Sequence, residues 1–233
     1  SGRKQEMERE IILCQQAIEG KNKKSEYVIE RIFENSSVSD YSPVLYENDL
    51  LVFTSERKEA TGKDIYNWTG ERFSDIFVMQ KNGSEVKRFD SAINTNQNEG
   101  TPWFSKDMMT LYFTRCFGSG TGDDYCRIMV SSRVNDFWIE PEILSFTKDK
   151  INYGQPTLIE NDSVLVFSAD INEPGGTMDL YYSEQFTDGS WSEPEPFPSS
   201  INTQGNEMFA TADGDTLYFS SDYLPGFGGF DIF

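Results

Sequence analysis

The side chains of this sequence that could carry acid–base or nucleophilic chemistry are carboxylates, tyrosines, lysines and three cysteines, because the chain contains no histidine. Without histidine, the Ser-His-Asp and Cys-His arrangements that activate a nucleophile cannot be built, and most zinc sites lose their usual ligand. Residues 120–124 supply two adjacent carboxylates, Asp123 and Asp124, but lack the alternating oxygen ligands of a calcium loop. We therefore expect no bound metal and no cofactor.

The chain is strongly acidic, with 39 Asp and Glu residues against 20 Lys and Arg residues and a formal net charge of −19. Such a chain repels a phosphate backbone and an anionic membrane surface, so we expect no nucleic-acid partner. No apolar run approaches the roughly 20 residues of a membrane-spanning helix. We therefore expect no direct insertion into a membrane.

A Leu-x-Phe segment recurs four times along the chain, at spacings of 60, 54 and 52 residues. The repeated residues are Leu51 and Phe53, Leu111 and Phe113, Leu165 and Phe167, and Leu217 and Phe219. Turn-forming pairs such as Asp188-Gly189 separate short strand-like segments, and in two repeats Trp138 or Trp191 begins the last segment. A period near about 50 residues, built from four short strands, is typical of a β-propeller.

The sequence thus predicts an all-β fold, a propeller of four-stranded antiparallel blades with at least four blades represented, preceded by one short α-helix. We expect blades at about residues 40–97, 98–152, 153–205 and 206–233, and a strand at residues 26–34 that completes the last blade. Residues 1–24 are predicted to form a helix that ends an upstream helical region, with Met7, Ile11, Cys14 and Ile18 on one face. Because the last blade stops inside its third strand, we expect the chain to be a piece of a longer protein.

Each repeat is expected to close with an Ile-Asn pair that leads into the innermost strand of the next blade. These pairs are Ile93-Asn94, Ile151-Asn152 and Ile201-Asn202. The innermost strands are expected to start near Ser42, Thr101, Gln155 and Glu207. Only Glu207 among those strands is acidic, and one carboxylate is not an acid–base pair.

Cys116 and Cys126 lie just after the second strand and just before the third strand of one blade. Because those strands are neighbours, the two Cα atoms could approach within the roughly 4.4–6.8 Å that a disulfide needs. An oxidising compartment would permit this bond. The sequence leaves both a disulfide and two free thiols open.

The segments NEGTPWFSKDMMTLYFTR and NEMFATADGDTLYFSSDYLPGFGGFDIF, at residues 98–115 and 206–233, resemble the WD-like repeat of the Pro-Asp type in TolB-like propellers. The pattern is more similar to the propeller of OmpA-family envelope proteins of Bacteroidota, including the PorE-like component of type IX secretion. In that family a tetratricopeptide region ends in a Cys-containing helix, here with Cys14, followed by Ser-Asp-Tyr-x-Pro, here residues 39–43. The resemblance implies a periplasmic, outer-membrane-associated protein whose peptidoglycan contact lies in a domain absent from this chain.

The loops between the second and third strands differ most between the repeats, and variable loops on a rigid scaffold commonly carry binding. The candidate partner-binding residues in these loops are Trp68, Phe117, Asp123, Asp124, Tyr223 and Phe227. We interpret the chain as a protein-binding scaffold and not an enzyme. Its expected partners are other proteins of the bacterial envelope, in a peptidoglycan-linked assembly such as the type IX secretion and gliding machinery.

Two alternatives stay open. Asp188-Gly189 and Trp191 match part of the Asp-box of sialidase-type propellers, although a hairpin turn before a core tryptophan explains the same residues. A carbohydrate-active propeller enzyme, sialidase-like or glycosidase-like, is therefore the first alternative. The second is a TolB-like accessory protein that binds a short peptide in the central channel.

Overall fold

The computed structural model describes residues 2–21, 28, 30–32, 34–47, 49–62, 65, 70, 72–83, 85–117, 125–172 and 176–233. Apart from one N-terminal helix, the regular structure of these residues consists of antiparallel strands in four separate sheets. The sheets are the blades of a propeller arrangement, and the first strand of each blade lies nearest the common axis. The predicted fold class is therefore confirmed.

The helix and strands have the following bounds. The helix α1 spans Gly2–Lys21. Blade 1 consists of β1 Asp40–Tyr46, β2 Leu50–Ser55, β3 Asp75–Gln80 and β4 Lys87–Arg88. Blade 2 consists of β5 Asn98–Phe104, β6 Thr110–Phe117, β7 Tyr125–Val134, β8 Phe137–Trp138 and β9 Glu142–Ile143. Blade 3 consists of β10 Tyr153–Ile159, β11 Val164–Ala169, β12 Asp179–Glu184 and β13 Glu195–Pro196. Blade 4 consists of β14 Glu207–Asp213, β15 Thr216–Ser221 and β16 Asp231–Ile232.

The hydrophobic core lies between consecutive blades. Successive side chains of a strand point to opposite faces of its sheet, so the two ends of a Leu-x-Phe segment share a face and the middle residue takes the other. Leu111 and Phe113 pack backward against Val52 and Ile76 of blade 1. Tyr112, which stands between them, packs forward against blade 3. The Leu-x-Phe residues thus make the packing contacts that join each blade to its neighbours.

The remaining repeat residues follow the same pattern with small differences. Phe53 is buried on the face of blade 1 that points away from blade 2, where Leu51 is partly buried beside it. Leu165 and Phe167 are fully buried between blades 2 and 3. The remaining repeat residues are buried or partly buried in the hydrophobic clusters between the blades, namely Leu217, Phe219, Trp138 and Trp191.

The Ile-Asn pairs do not all occupy the same place in the repeat. The Asn94 side chain accepts a hydrogen bond from Ile76 N at 2.8 Å and donates one to Ile76 O at 2.8 Å. The Asn202 side chain makes the same two hydrogen bonds with Leu180 N and Leu180 O. Asn152 instead accepts from Cys126 N at 3.0 Å and lies directly before β10. The expectation that Ile151-Asn152 matches the other two pairs is therefore wrong, because Asn152 holds the position of Asn98 and Asn206, whose side chains accept from Ser74 N and Met178 N.

The helix α1 contacts the propeller at the loop that follows β15. The Arg9 guanidinium carbon lies 3.8 Å from the ring centroid of Tyr223, and Arg9 also donates to the Tyr223 carbonyl oxygen. Gly20 lies against the ring of Phe227. The predicted apolar face of α1 is open to solvent, since Met7 and Ile18 are exposed along it. No helix among the described residues combines the length and apolar character needed to span a membrane.

The predicted strand at residues 26–34 lies partly outside the described residues, namely at 26, 27, 29 and 33. The described positions of that segment, residues 28, 30–32 and 34, are not assigned to a strand. The placement of this segment in a blade stays a prediction.

A candidate binding cavity on the propeller axis

The four innermost strands share one local irregularity near the axis. The strand register shifts in each of them, and the residue at the shift has a positive φ: 48° at Ser42, 52° at Thr101, 52° at Gln155 and 53° at Phe209. In three strands the next residue is proline, and in β14 it is Ala210. Proline lacks an N–H and is tolerated only where no ladder bond is needed, as at a strand edge. The repeated bulge therefore belongs to the strand edge that faces the axis.

These bulges surround a cavity of about 430 Å³ on the axis. Its wall is formed by residues 41–43, 101–103, 155–157 and 209–211 from the four innermost strands, together with Tyr218, Phe219, Ser220 and Ile232 of blade 4. Across the axis, the rings of Tyr41 and Phe209 approach edge to face, with centroids 6.5 Å apart. Ligand sites usually occupy concave, mostly apolar spaces of this size.

The wall of the cavity is uncharged, although the chain as a whole carries −19. Two of its hydroxyl groups are already engaged, since Thr101 Oγ1 and Thr114 Oγ1 lie 2.7 Å apart and Thr157 Oγ1 donates to Ala210 O at 2.6 Å. Gln155 Oε1 is buried and accepts no hydrogen bond from the residues that the structure describes. A buried acceptor without a donor is costly, so a ligand that donates an N–H or O–H to Gln155 would gain affinity.

Three carboxylates lie at the beginning of the innermost strands, because β1 and β5 start earlier than the sequence predicted. They are Asp40, Glu99 and Glu207. The prediction of a single acidic residue in these strands is therefore wrong. The repeat pattern did not reveal the additional residues because they precede the apolar segment used to align the blades.

Each of these carboxylates is held by hydrogen bonds at the entrance of its strand. Glu99 is fully buried and accepts from Thr95 N and Thr95 Oγ1 and from Arg115 Nε at 2.8 Å. Burial raises the pKa of Glu99 despite these bonds. Glu207 accepts from Thr203 in the same arrangement and from Ser221 Oγ at 2.7 Å.

The pKa of Asp40 is shifted in the opposite direction from that of Glu99. Burial acts to raise the pKa of Asp40, but hydrogen bonds from Ser55 Oγ and Arg57 outweigh it and lower the pKa. None of the three carboxylates forms part of the cavity wall. Among the described residues, no three Cys, Asp or Glu side chains are placed to share a metal ion.

The described loop residues that the sequence singled out, Phe117, Tyr223 and Phe227, lie in two different surroundings. Trp68, Asp123 and Asp124 lie outside the described residues. Phe117 is half-buried against the core between blades 1 and 2. Tyr223 and Phe227 contact α1.

The two cysteines of blade 2 are joined. Cys116 and Cys126 face each other across β6 and β7 and form a disulfide with an S–S distance of 1.98 Å. Cys14 on α1 is a free, exposed thiol. The disulfide closes the base of the loop between β6 and β7.

Reasoning from the repeat favoured the loops as the binding surface and named the central channel only in the second alternative, a TolB-like protein that binds a short peptide. It did not use the sequence signal for this cavity. The signal was present in the sequence, since proline stands at the same position of three innermost strands, at Pro43, Pro102 and Pro156. A proline that recurs at one position of a paired strand indicates an edge without ladder bonds. In a propeller that edge surrounds the axis.

No protein-family model matches this chain, and no curated protein sequence matches it. Among solved structures, it is similar to a thermostable family-43 glycoside hydrolase, at 13% identity and a TM-score of 0.53, over 83% of this chain and 70% of the other. It also aligns with a puromycin-hydrolysing peptidase of Mycobacterium tuberculosis, at 11% identity and a TM-score of 0.44, over 79% and 26% of the two chains. A putative TolB from Agrobacterium tumefaciens aligns at 12% identity and a TM-score of 0.42, over 80% and 61%.

The first of these similarities corrects one prediction. The chain shares its fold with a glycoside hydrolase, so the prediction that it is not an enzyme is wrong. The propeller fold gives no ground for excluding catalysis. The innermost strands also give no ground for that prediction, because three carboxylates and not one lie at the beginnings of these strands.

Proposed function

We propose that this chain is a protein-binding propeller of the bacterial envelope and that its axial cavity receives a segment of the partner polypeptide. The observation that carries the proposal is the uncharged wall of the cavity, whose buried acceptor, Gln155 Oε1, has no donor among the described residues. A backbone N–H of a bound polypeptide would supply the missing donor. Aromatic walls such as Trp103 and Tyr218 suit the apolar side chain beside it.

The envelope location rests on the sequence resemblance and on the disulfide. A disulfide such as Cys116–Cys126 persists in an oxidising compartment, and the bacterial periplasm is one. We place the chain at the outer membrane, in an assembly with other envelope proteins such as the type IX secretion and gliding machinery. Its link to peptidoglycan would be indirect, through another domain.

Capture of envelope proteins by the immobilised chain tests this function. We expect a partner that the free chain competes away, and Gln155→Leu to lower its capture about tenfold, because one buried hydrogen bond is lost. Gln185→Leu is the matched control, since Gln185 belongs to the same blade, is exposed and lies outside the cavity. The proposal fails if Gln155→Leu captures as well as the wild type while Phe227→Ala does not.

A carbohydrate-active enzyme is the second candidate. It is favoured by the three carboxylates at the innermost strands and by aromatic residues in the adjacent cavity. A screen with neutral and acidic oligosaccharides tests it, and turnover that Glu99→Gln or Glu207→Gln abolishes would establish this function in place of the first.

A further inference from the structure

The hairpin between β7 and β8 leaves three apolar side chains in solvent. Val134, Phe137 and Ile139 are 50%, 73% and 46% exposed. Val134 and Phe137 lie opposite each other in the register of the two strands, and Ile139 N donates to Ser132 O one step further along. Because side chains alternate along a strand and opposed side chains are close neighbours, the three share one face and form a contiguous patch. We call these three residues the apolar tip of blade 2.

The geometry of the hairpin holds this patch outward. Its two turn residues, Asn135 and Asp136, both have a positive φ, 49° and 66°, as in the tight two-residue turn that fits the twist of paired strands. Trp138 packs in the core beside Tyr46 and Phe104, so the residues next to it in the strand point to the other face. The apolar tip is therefore a preorganised surface, and such a surface loses little entropy on binding.

The propeller scaffold does not require apolar side chains at this position. In blade 3 the equivalent tryptophan is Trp191, and its neighbours are Ser190 and Ser192 where blade 2 has Phe137 and Ile139. Blade 2 also lies between blade 1 and blade 3, so its tip is exposed although a neighbouring blade is present on each side. A contiguous apolar patch that the fold does not need is the kind of surface that marks an interaction site.

The charges beside the apolar tip are acidic. Asp136 in the turn and Glu140 directly after Ile139 are both exposed. The cation of the same hairpin is already engaged, since the Arg133 guanidinium lies 2.7 Å from a Glu47 carboxylate oxygen and 3.4 Å from one of Asp136. The chain as a whole carries −19. A partner surface that sets Lys or Arg beside apolar side chains would complement both the patch and its rim.

We propose that the apolar tip of blade 2 docks a basic amphipathic segment of a partner polypeptide. Its apolar side chains cover Phe137, and its Lys or Arg side chains face Asp136 and Glu140. A second copy of this chain or an anionic membrane surface would bring like charges together, so both fit this surface less well. The inference goes beyond the proposed function, because the hairpin forms no part of the wall of the axial cavity.

Two synthetic peptides test the chemistry of this surface. In one peptide leucine alternates with lysine, and in the other leucine alternates with glutamate. We expect the wild-type chain to bind the lysine peptide and not the glutamate peptide, with an affinity that falls as the salt concentration rises. Fluorescence anisotropy of the labelled peptides measures both affinities. No binding of the lysine peptide, or equal binding of the two peptides, would overturn the inference.

Matched variants decide where the lysine peptide binds. Phe137→Ser should weaken its binding at least about tenfold, because the aromatic anchor is removed. Phe186→Ser is the matched control and should bind like the wild type, since Phe186 is 54% exposed in the equivalent hairpin of blade 3. Ile139→Thr keeps a β-branched side chain and repeats the test if Phe137→Ser lowers the urea midpoint. Equal binding by the wild type and all three variants, or equal losses in Phe137→Ser and Phe186→Ser, would overturn the inference.

Other occupants would give distinct results. A wild-type dimer in sedimentation that Phe137→Ser dissociates would make a second copy the occupant, and binding to phosphatidylcholine vesicles that Phe137→Ser abolishes would make it a bilayer. Either result would overturn the proposal. Gln155→Leu, which alters the axial cavity, should bind the lysine peptide like the wild type, so failure of the proposed function leaves this test unaffected. Loss of peptide binding in Gln155→Leu would place the peptide in the cavity and overturn the inference.

Discussion

Buried ion pairs connect neighbouring strands at the residue scale. The Glu99 carboxylate and the Arg115 guanidinium are 2.8 Å apart, and their side chains are 0% and 7% exposed. A buried pair is weak evidence of net stabilisation, but loss of one partner leaves an uncompensated buried charge. The pair therefore makes the stability of blade 2 sensitive to single substitutions.

Arg115→Met should destabilise the chain by about 3–5 kcal/mol, because Glu99 would stay buried without its cation. Urea unfolding measures the change. The double variant Glu99→Gln with Arg115→Met should recover part of the loss. Lys148→Met removes the exposed pair with Glu193 and should leave the unfolding midpoint unchanged. A midpoint equally insensitive to Arg115→Met would contradict the assigned burial.

A second residue-scale prediction concerns Asp75 and pH. Asp75 is fully buried, its Oδ2 accepts from Thr61 N and Thr61 Oγ1, and its Oδ1 has no hydrogen-bond donor among the described residues. Burial raises the pKa of Asp75 above its ordinary value in spite of the bonds from Thr61. Folding therefore favours the protonated form. Its contribution to stability is present below the ordinary aspartate pKa and is lost as the pH rises through the folded pKa.

Asp75→Asn should accordingly be more stable than the wild type at neutral pH, and the difference should vanish in acid. Urea unfolding over a pH series measures it. Asp107→Asn is the control and should instead lower the stability at neutral pH, because hydrogen bonds from Ser105 and Met109 lower the pKa of Asp107. An Asp75→Asn variant that is less stable than the wild type at neutral pH would contradict the account.

Single residues also show what the sequence could predict. The Leu-x-Phe residues identified the second strands because their apolar spacing is regular. The Ile-Asn pairs misled, because Asn152 and Asn94 look alike in sequence but bind different parts of the third strand. The hydrogen bonds distinguish them, and so does their distance from the following strand, since Asn152 directly precedes β10 whereas Asn94 lies four residues before β5.

At the scale of elements, the innermost strands share a bulge that prepares the cavity wall. The residue after the bulge is proline in β1, β5 and β10 and Ala210 in β14. The three prolines show that this position needs no N–H donor. The sequence contained this signal, but the enclosed volume depends on how four strands converge, which no local pattern determines.

Ala210→Pro should therefore stabilise the chain by about 0.4–1 kcal/mol, because it restricts the unfolded chain at a position whose backbone already suits proline. Thermal or urea unfolding measures the gain. Ala210→Gly is the control and should destabilise, since it loosens the unfolded chain and removes a buried methyl group. A loss of stability in Ala210→Pro would show that β14 differs from the other innermost strands.

The disulfide acts on the hairpin of β6 and β7. It closes a loop with a sequence separation of 10 residues, so its loss should cost about 2–3 kcal/mol through the entropy of the unfolded chain. Urea unfolding of Cys116→Ala with Cys126→Ala measures this loss. Cys14→Ala should have no effect, because that thiol is free and exposed. An unfolding midpoint that is insensitive to reductant would contradict the role of the bond.

At the scale of the whole molecule, four blades bring separate segments of the chain to one axis. The repeat period predicted the blades, because each unit carries its own strands and turns. That reasoning named a central channel only in its second alternative, and it did not predict the wall of the cavity, since the wall joins residues such as Ser42 and Thr211 that are far apart in sequence. The loops, which the sequence favoured as the binding surface, lie partly outside the described residues, so their role in binding stays a prediction.

The central claim is that the axis, and not the loops, is where a partner polypeptide binds. Hydrogen–deuterium exchange of the chain with and without its captured partner tests this most directly. The account predicts slower amide exchange at Thr101, Trp103, Gln155, Thr157 and residues 209–211 when the partner is bound. Protection confined to residues 222–230, with unchanged exchange in the innermost strands, would contradict it.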